Sequence, residues 1–98
     1  MQTFFVEIKC RLGKTYTVAS ALADREIASE IYSTAGNYDI LAKFHVDDGV
    51  DIGHFVAENV QVIPEIQDTK TIITYKAFCG PGLAAGPRRP VSRGTAGP

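Results

Sequence analysis

The 98-residue sequence has little of several things, and each shortage removes a class of function. No apolar run approaches the roughly 20 residues that a bilayer-spanning helix needs. The opening Met1-Gln2-Thr3 has neither a basic leader nor a cleavable apolar core, so secretion is not indicated and the cytoplasm is the expected compartment. There are two cysteines, Cys10 and Cys79, too far apart for a local metal motif and expected to be thiols rather than a disulfide. The two histidines, His45 and His54, lack the i, i+4 spacing of a helical metal pair. No phosphate-binding loop, nucleophile elbow or Cys-His pairing is present. The chain therefore reads as a non-enzyme with no cofactor and no metal.

Positive charge is also scarce where it would matter. Net charge is −1, but residues 1–78 hold seven Lys/Arg against eleven Asp/Glu. Arg88, Arg89 and Arg93 are the charges of the remaining stretch. The main body therefore lacks a basic footprint for nucleic acid, and direct sequence-specific DNA binding is not expected. The stretch 79–98, with Gly80-Pro81-Gly82 and Gly86-Pro87-Arg88-Arg89-Pro90, has no periodic apolar pattern and is expected to be a disordered tail.

What the chain does have is alternation. Phe4, Val6, Ile8 and Cys10 share one parity and Thr3, Phe5, Glu7 and Lys9 the other, which predicts a strand. Leu12-Gly13-Lys14 turns the chain, and Thr15 is the expected N-cap of a helix running to about Asp24 with Val18, Ala19, Ala21 and Leu22 on its apolar face. A second strand from about Ala28 to Ala35 meets a third, Tyr38 to Val46, across Gly36-Asn37, residues that tolerate positive φ cheaply. Asp47-Asp48 is the expected cap of a second helix carrying Ile52, Phe55, Val56, Asn59 and Val60 at helical spacing. Pro64 ends that region, and Ile66 to Phe78 alternates as a last strand.

The order β-α-β-β-α-β predicts an α+β, ferredoxin-like domain over residues 1–78. Its four-stranded antiparallel sheet has strand order 4-1-3-2 and both helices on one face. Two short helices cover one face only. The other carries Phe on the first strand and Ile or Leu on the third and fourth, so a partner is expected there, most economically a second copy.

In order and spacing these residues resemble the effector-binding (RAM) domain of the Lrp/AsnC, or feast/famine, transcription regulators. The resemblance runs through Phe4-Phe5-Val6-Glu7-Ile8-Lys9, then Gly13-Lys14, then Ile31 to Lys43 with the Gly36-Asn37-Tyr38-Asp39 hairpin. It continues in Phe55-Val56 and Ile63-Pro64-Glu65-Ile66 and ends at Thr69-Lys70-Thr71. It implies a domain that dimerises through its sheets as an α+β barrel, with dimers joining into rings such as octamers. It also implies free amino acids as effectors, held between neighbouring dimers near the hairpin. The helix-turn-helix of full-length regulators has no counterpart in this sequence. A stand-alone domain acting on transcription through homo- or hetero-assembly with a full-length Lrp/AsnC regulator is the expectation.

The ligand-binding residues expected from this are Gly36, Asn37, Tyr38, Asp39, Thr69 and Thr71. Amides around Gly36 would meet the effector's carboxylate, Asp39 its ammonium, and the two threonines would offer hydroxyls. Each has a plainer reading. Asp39 can accept hydrogen bonds within its own turn, Thr69 and Thr71 are ordinary strand residues, and Tyr38 can be core with its hydroxyl at the rim. Two other functions fit the same topology: a cofactor-free monooxygenase-like enzyme of the dimeric barrel type, and a purely structural oligomerisation module.

Overall fold

A computed structural model describes residues 1–79. Six elements follow in the expected order: β1 (Gln2–Cys10), α1 (Thr15–Arg25), β2 (Glu30–Ser33), β3 (Ile40–Val46), α2 (Ile52–Asn59) and β4 (Ile66–Ile73). The strands form one sheet ordered β2-β3-β1-β4, antiparallel at each junction. This is the ferredoxin-like βαββαβ arrangement expected from the sequence. The expected tail falls outside the described residues except for Cys79.

The alternation in β1 sorts the two faces. Phe4, Val6 and Ile8 are completely buried with Cys10 nearly so, and their neighbours Ile40, Ala42, Phe44 and Val46 on β3 are buried with them. Val18 and Leu22 of α1 and Ile52 and Val56 of α2 close over this face, with Val60 and Ile63 just beyond. Three rings form its densest part. Phe4 stacks on its cross-strand partner Phe44 at 5.1 Å, and Phe55 meets both edge-on at 5.9 and 5.8 Å. Offset and edge-on contacts suit the ring quadrupole and add about 0.5–1.5 kcal/mol per pair beyond area burial.

The opposite face has no helix on it. Thr3, Phe5, Glu7 and Lys9 lie there with Leu41, Lys43 and His45 of β3, Glu30 and Tyr32 of β2, and Asp68, Lys70 and Ile72 of β4. Phe5 and Leu41 are partly exposed, Ile72 is 39% exposed and Tyr32 52%. No helix of the described residues is long and apolar enough to cross a membrane.

Four local expectations are corrected. Helix α1 is preceded by Lys14 as its N-cap residue, without a side-chain cap, and Thr15 is already helical. The cap of α2 is Asp51, whose Oδ1 accepts from the His54 amide at 3.1 Å; Asp47 and Asp48 lie in the preceding loop. There their carbonyls accept from Gln2 Nε2 at 3.1 and 2.9 Å, so this loop is anchored to β1 before the helix begins. Strand β4 stops at Ile73 rather than Phe78: Ile73 pairs with Phe4, and β1 has only Thr3 and Gln2 beyond it, too few to pair a strand out to Phe78. Thr74 still bonds to the Thr3 carbonyl, and Tyr75 beyond it is fully exposed. The hairpin strands are also shorter than expected, with a loop of residues 34–39 in place of a two-residue turn.

Candidate functional site

The 34–39 loop is tied down at both ends and in its middle. The Thr34 amide donates to the Asp39 carbonyl at 2.9 Å, and Thr34 Oγ1 donates to the Tyr38 carbonyl at 2.9 Å. The Asp39 amide donates to the Ile8 carbonyl at 2.9 Å. Lys9 Nζ donates to the Asn37 carbonyl at 3.3 Å. The loop is thus fastened to β1 as well as closed on itself.

Gly36 makes the closure possible. Its φ is +115°, a region that side chains rarely adopt, yet a Cβ built there would meet nothing within 4 Å. The requirement is therefore backbone strain and not space. Gly36→Ala is expected to cost about 1–3 kcal/mol, read as a lowered melting temperature; an unchanged one would show that the loop relaxes freely.

Asp39 plays a part that neither of its sequence readings described. Its Oδ2 accepts from the Cys10 amide at 2.8 Å, across 29 positions of sequence rather than within its own turn. Cys10 is where the β1–β4 register shifts, so Asp39 caps the end of β1 at an irregularity in the ladder. The Cys10 thiol, 5% exposed, has its pKa raised chiefly by burial and further by the nearby Asp39 charge. That combination disfavours the thiolate and makes Cys10 a structural thiol rather than a reactive one.

Beside the loop, on the helix-free face, lies a cleft of about 370 Å³ lined by Glu7, Thr34, Ala35, Asn37, Tyr38 and Lys70. Of the six residues expected from the sequence, it brings together Asn37 and Tyr38. Gly36 and Asp39 shape the loop without lining the cleft. Thr69 and Thr71 pair with Ile8 and Val6, which puts them on the helix-side face of β4, opposite in parity to Lys70. Thr69 Oγ1 accepts from Gln61 Nε2 at 2.8 Å. Within one chain, then, the threonines and the cleft are on different sides of the sheet.

Four lining residues lie outside the expected set: Thr34 and Ala35 in the loop, and Glu7 and Lys70 on the sheet. Glu7 and Lys70 are cross-strand partners on the helix-free face. The signal was present in the alternation, since Glu7 shares the parity of Thr3, Phe5 and Lys9 on the open face of a strand expected at the sheet centre. A second cavity, of about 860 Å³, opens at the other end of the same face, where Phe5, Glu30, Lys43 and His45 contribute. There Tyr32 donates to Glu30, which lowers the Glu30 pKa and raises that of Tyr32, and Lys43 Nζ lies 3.7 Å from Glu30. Among the described residues no group of His, Cys, Asp and Glu is arranged to hold a metal ion.

Comparison with known proteins agrees with this fold. Residues 3–81 match the Lrp/AsnC ligand binding domain. The chain is 33% identical over 72 residues to the HTH-type transcriptional regulator FL11 of Pyrococcus abyssi, a match covering 74% of this chain and 47% of FL11. The chain thus spans about half the length of the curated relatives it matches. Among solved structures, FFRP-DM1 superposes with a TM-score of 0.70 at 32% identity, covering 76% of this chain and all of that one. The Neisseria meningitidis transcriptional regulator NMB0573, solved as an L-Met complex, shares the fold at a TM-score of 0.70 and 16% identity, over 81% of this chain and 53% of its own. With the matched segment running through all six elements and the hairpin cleft, the chain belongs to the Lrp/AsnC family through its ligand-binding domain.

Proposed function

We propose that this domain binds a free amino acid at the 34–39 loop and uses that binding to modulate transcription through assembly. The observation that carries the reading is a set of unspent donors. The amides of Gly36, Asn37 and Tyr38 have no protein acceptor among the described residues, and they sit in a loop pinned on either side. Fixed N–H groups at a glycine turn suit a carboxylate, and the adjoining cleft is near the small end of ligand pockets, which begin at about 300 Å³. The family match supports effector binding, and the L-Met complex of NMB0573 supports an amino acid as its kind. Asp39, Thr69 and Thr71 complete the site in this proposal only if a neighbouring subunit brings the threonines of one chain to the hairpin of another.

The helix-free face supplies the reason to assemble. It combines Phe5, Leu41 and Ile72 with three acids, Glu7, Glu30 and Asp68, and three lysines, Lys9, Lys43 and Lys70. Balanced charge around an apolar centre is self-complementary under a two-fold axis. A sheet-to-sheet homodimer follows, with dimers joining into rings, and a full-length Lrp/AsnC regulator is the partner through which a signal reaches DNA. Its relatives are named as transcriptional regulators, and regulation rather than catalysis is the activity proposed.

Calorimetric titration with each common L-amino acid, paired with solution mass by light scattering, tests both halves. At least one amino acid is expected to bind, and the mass should be that of a dimer or a multiple of it. Ile72→Asp should shift the mass toward the monomer, since a buried unpaired charge opposes the interface. Silence across the amino-acid panel would overturn effector binding, and a wild-type monomer would overturn the assembly.

A further inference from the structure

Four residues at the centre of the helix-free face stand at the corners of a rectangle. Phe5 and Glu7 lie on β1, Leu41 and Lys43 on β3, and the register sets Phe5 opposite Lys43 and Glu7 opposite Leu41. Its sides are about 4.8 Å across the strands and roughly 7 Å along them. The two charges therefore occupy diagonal corners, as do the two apolar side chains. Both charges are half-buried even in a single chain, the Lys43 side chain being 24% exposed. Lys43 Nζ lies 3.7 Å from Glu30 on its outer side and 6.0 Å from the centre of the Phe5 ring. Glu7 forms no ion pair among the described residues. A second sheet laid over this face takes both groups further out of water, where a charge without a partner is strongly disfavoured.

We infer that the two-fold axis of the dimer runs along the Leu41–Phe5 diagonal, so that Lys43 of each copy pairs with Glu7 of the other. This register rests on the sheet-to-sheet homodimer proposed above and specifies which second chain the face accepts. A two-fold that lays one face on another runs parallel to the sheets, and four directions through the rectangle can be compared. An axis along the strands sets Lys43 over Phe5 and Glu7 over Leu41. An axis across the strands sets Lys43 over Leu41 and Glu7 over Phe5. Either one buries both charges against apolar side chains. The Lys43–Glu7 diagonal sets each charge on its own copy, which repels. Of the four, the Leu41–Phe5 diagonal alone sets opposite charges together and leaves each apolar side chain on its own copy. The next residues out agree. Glu30 flanks Lys43 on β2 and Lys9 follows Glu7 on β1, and the same rotation carries Glu30 toward Lys9 of the second copy. A chain therefore fits this face when it presents an acid where Glu7 stands and a cation where Lys43 stands. A second copy of this chain does so, and a chain of other charge is turned away by like-charge contacts.

Charge reversal tests the pairing, read by analytical ultracentrifugation of the full chain over a dilution series. Lys43→Glu alone and Glu7→Lys alone each place two like-charged contacts in the dimer. Each is expected to weaken self-association about a hundredfold or more. An equimolar mixture of the two variants is expected to recover association as a one-to-one heterodimer, since each chain then meets its opposite. In that mixture each chain keeps its own like-charged diagonal, so recovery reports contact between chains and not within one. A mixture no more associated than the single variants overturns the pairing, as does a single variant that dimerises like wild type. In both cases an associated wild type leaves the sheet-to-sheet reading standing, whereas a monomeric wild type overturns both. Where circular dichroism shows a reversal to be unfolded, Lys43→Gln and Glu7→Gln take its place. Each should weaken the dimer, and the double variant should lose less than the two losses combined. Additive losses overturn the pairing.

Discussion

Phe44→Ala is expected to destabilise the domain by about 3–5 kcal/mol, the range for removing a buried aromatic ring. Phe44 is completely buried on β3, stacked on Phe4 of β1 and touched edge-on by Phe55 of α2. Truncation removes its transfer free energy and leaves a cavity bordered by the two remaining rings, Phe4 of β1 and Phe55 of α2. Those elements cannot both move inward without breaking the ladder in which Phe4 and Phe44 are opposite each other. A small domain with a stability of only about 5–15 kcal/mol loses a large fraction of it to one such change. Urea denaturation followed by circular dichroism should show a much lower midpoint. Phe55→Ala, at a partly exposed position, should cost less. A loss below about 1 kcal/mol for Phe44→Ala would mean that the aromatic cluster is not the centre of the core.

Asp39→Ala is the second large effect, and it separates two roles that the sequence could not separate. Hydrogen bonds to charged groups contribute about 1.5–3 kcal/mol. Removing Asp39 also strands the Cys10 amide at the end of β1, in a part-buried setting. A loss of about 2 kcal/mol is expected, which for a domain of this size is a fall in melting temperature of about 10 °C. Asp39→Asn keeps an acceptor and should recover roughly half of the loss. If Asp39 served only a ligand, the ligand-free protein would melt unchanged in either variant. The comparison therefore has to be made before any amino acid is added.

Most of the architecture was legible because each face of the sheet is written with period two. Phe4, Val6 and Ile8 against Thr3, Phe5 and Glu7 specify which side of β1 is buried, and Ile40, Ala42 and Phe44 repeat the instruction on β3. The helix caps were less legible. Asp47, Asp48 and Asp51 are chemically equivalent as caps, and the choice among them is made by Gln2, whose amide nitrogen holds the Asp47 and Asp48 carbonyls from 45 and 46 positions away. No local pattern contains that contact. The extent of β4 likewise depended on where its neighbour begins, not on its own alternation, which continues past Ile73.

The site was legible in part for the same reason. A positive φ at Gly36 follows from local chemistry, and the structure has it. The partner of Asp39 does not, because Cys10 lies on another strand and is brought near only by the β1–β3 pairing. Parity on β4 decided the rest. Thr69 and Thr71 attracted notice as hydroxyls, but Lys70 between them is the residue facing the hairpin cleft. Parity alone puts Glu7 and Lys70 on the same open face, and the β1–β4 register sets them opposite each other.

The bond from the Cys10 amide to Asp39 also bears on when the site comes into being. It joins residues 29 positions apart, and the Asp39 amide reaches Ile8 on the same strand. Neither contact can form until β1 and β3 are aligned, so the loop acquires its shape only after the central ladder has closed and its entropy of closure has been met. A partly folded chain would have the right residues and no cleft. A ligand held by the finished cleft, as proposed above, would consequently favour the complete fold over every partial one.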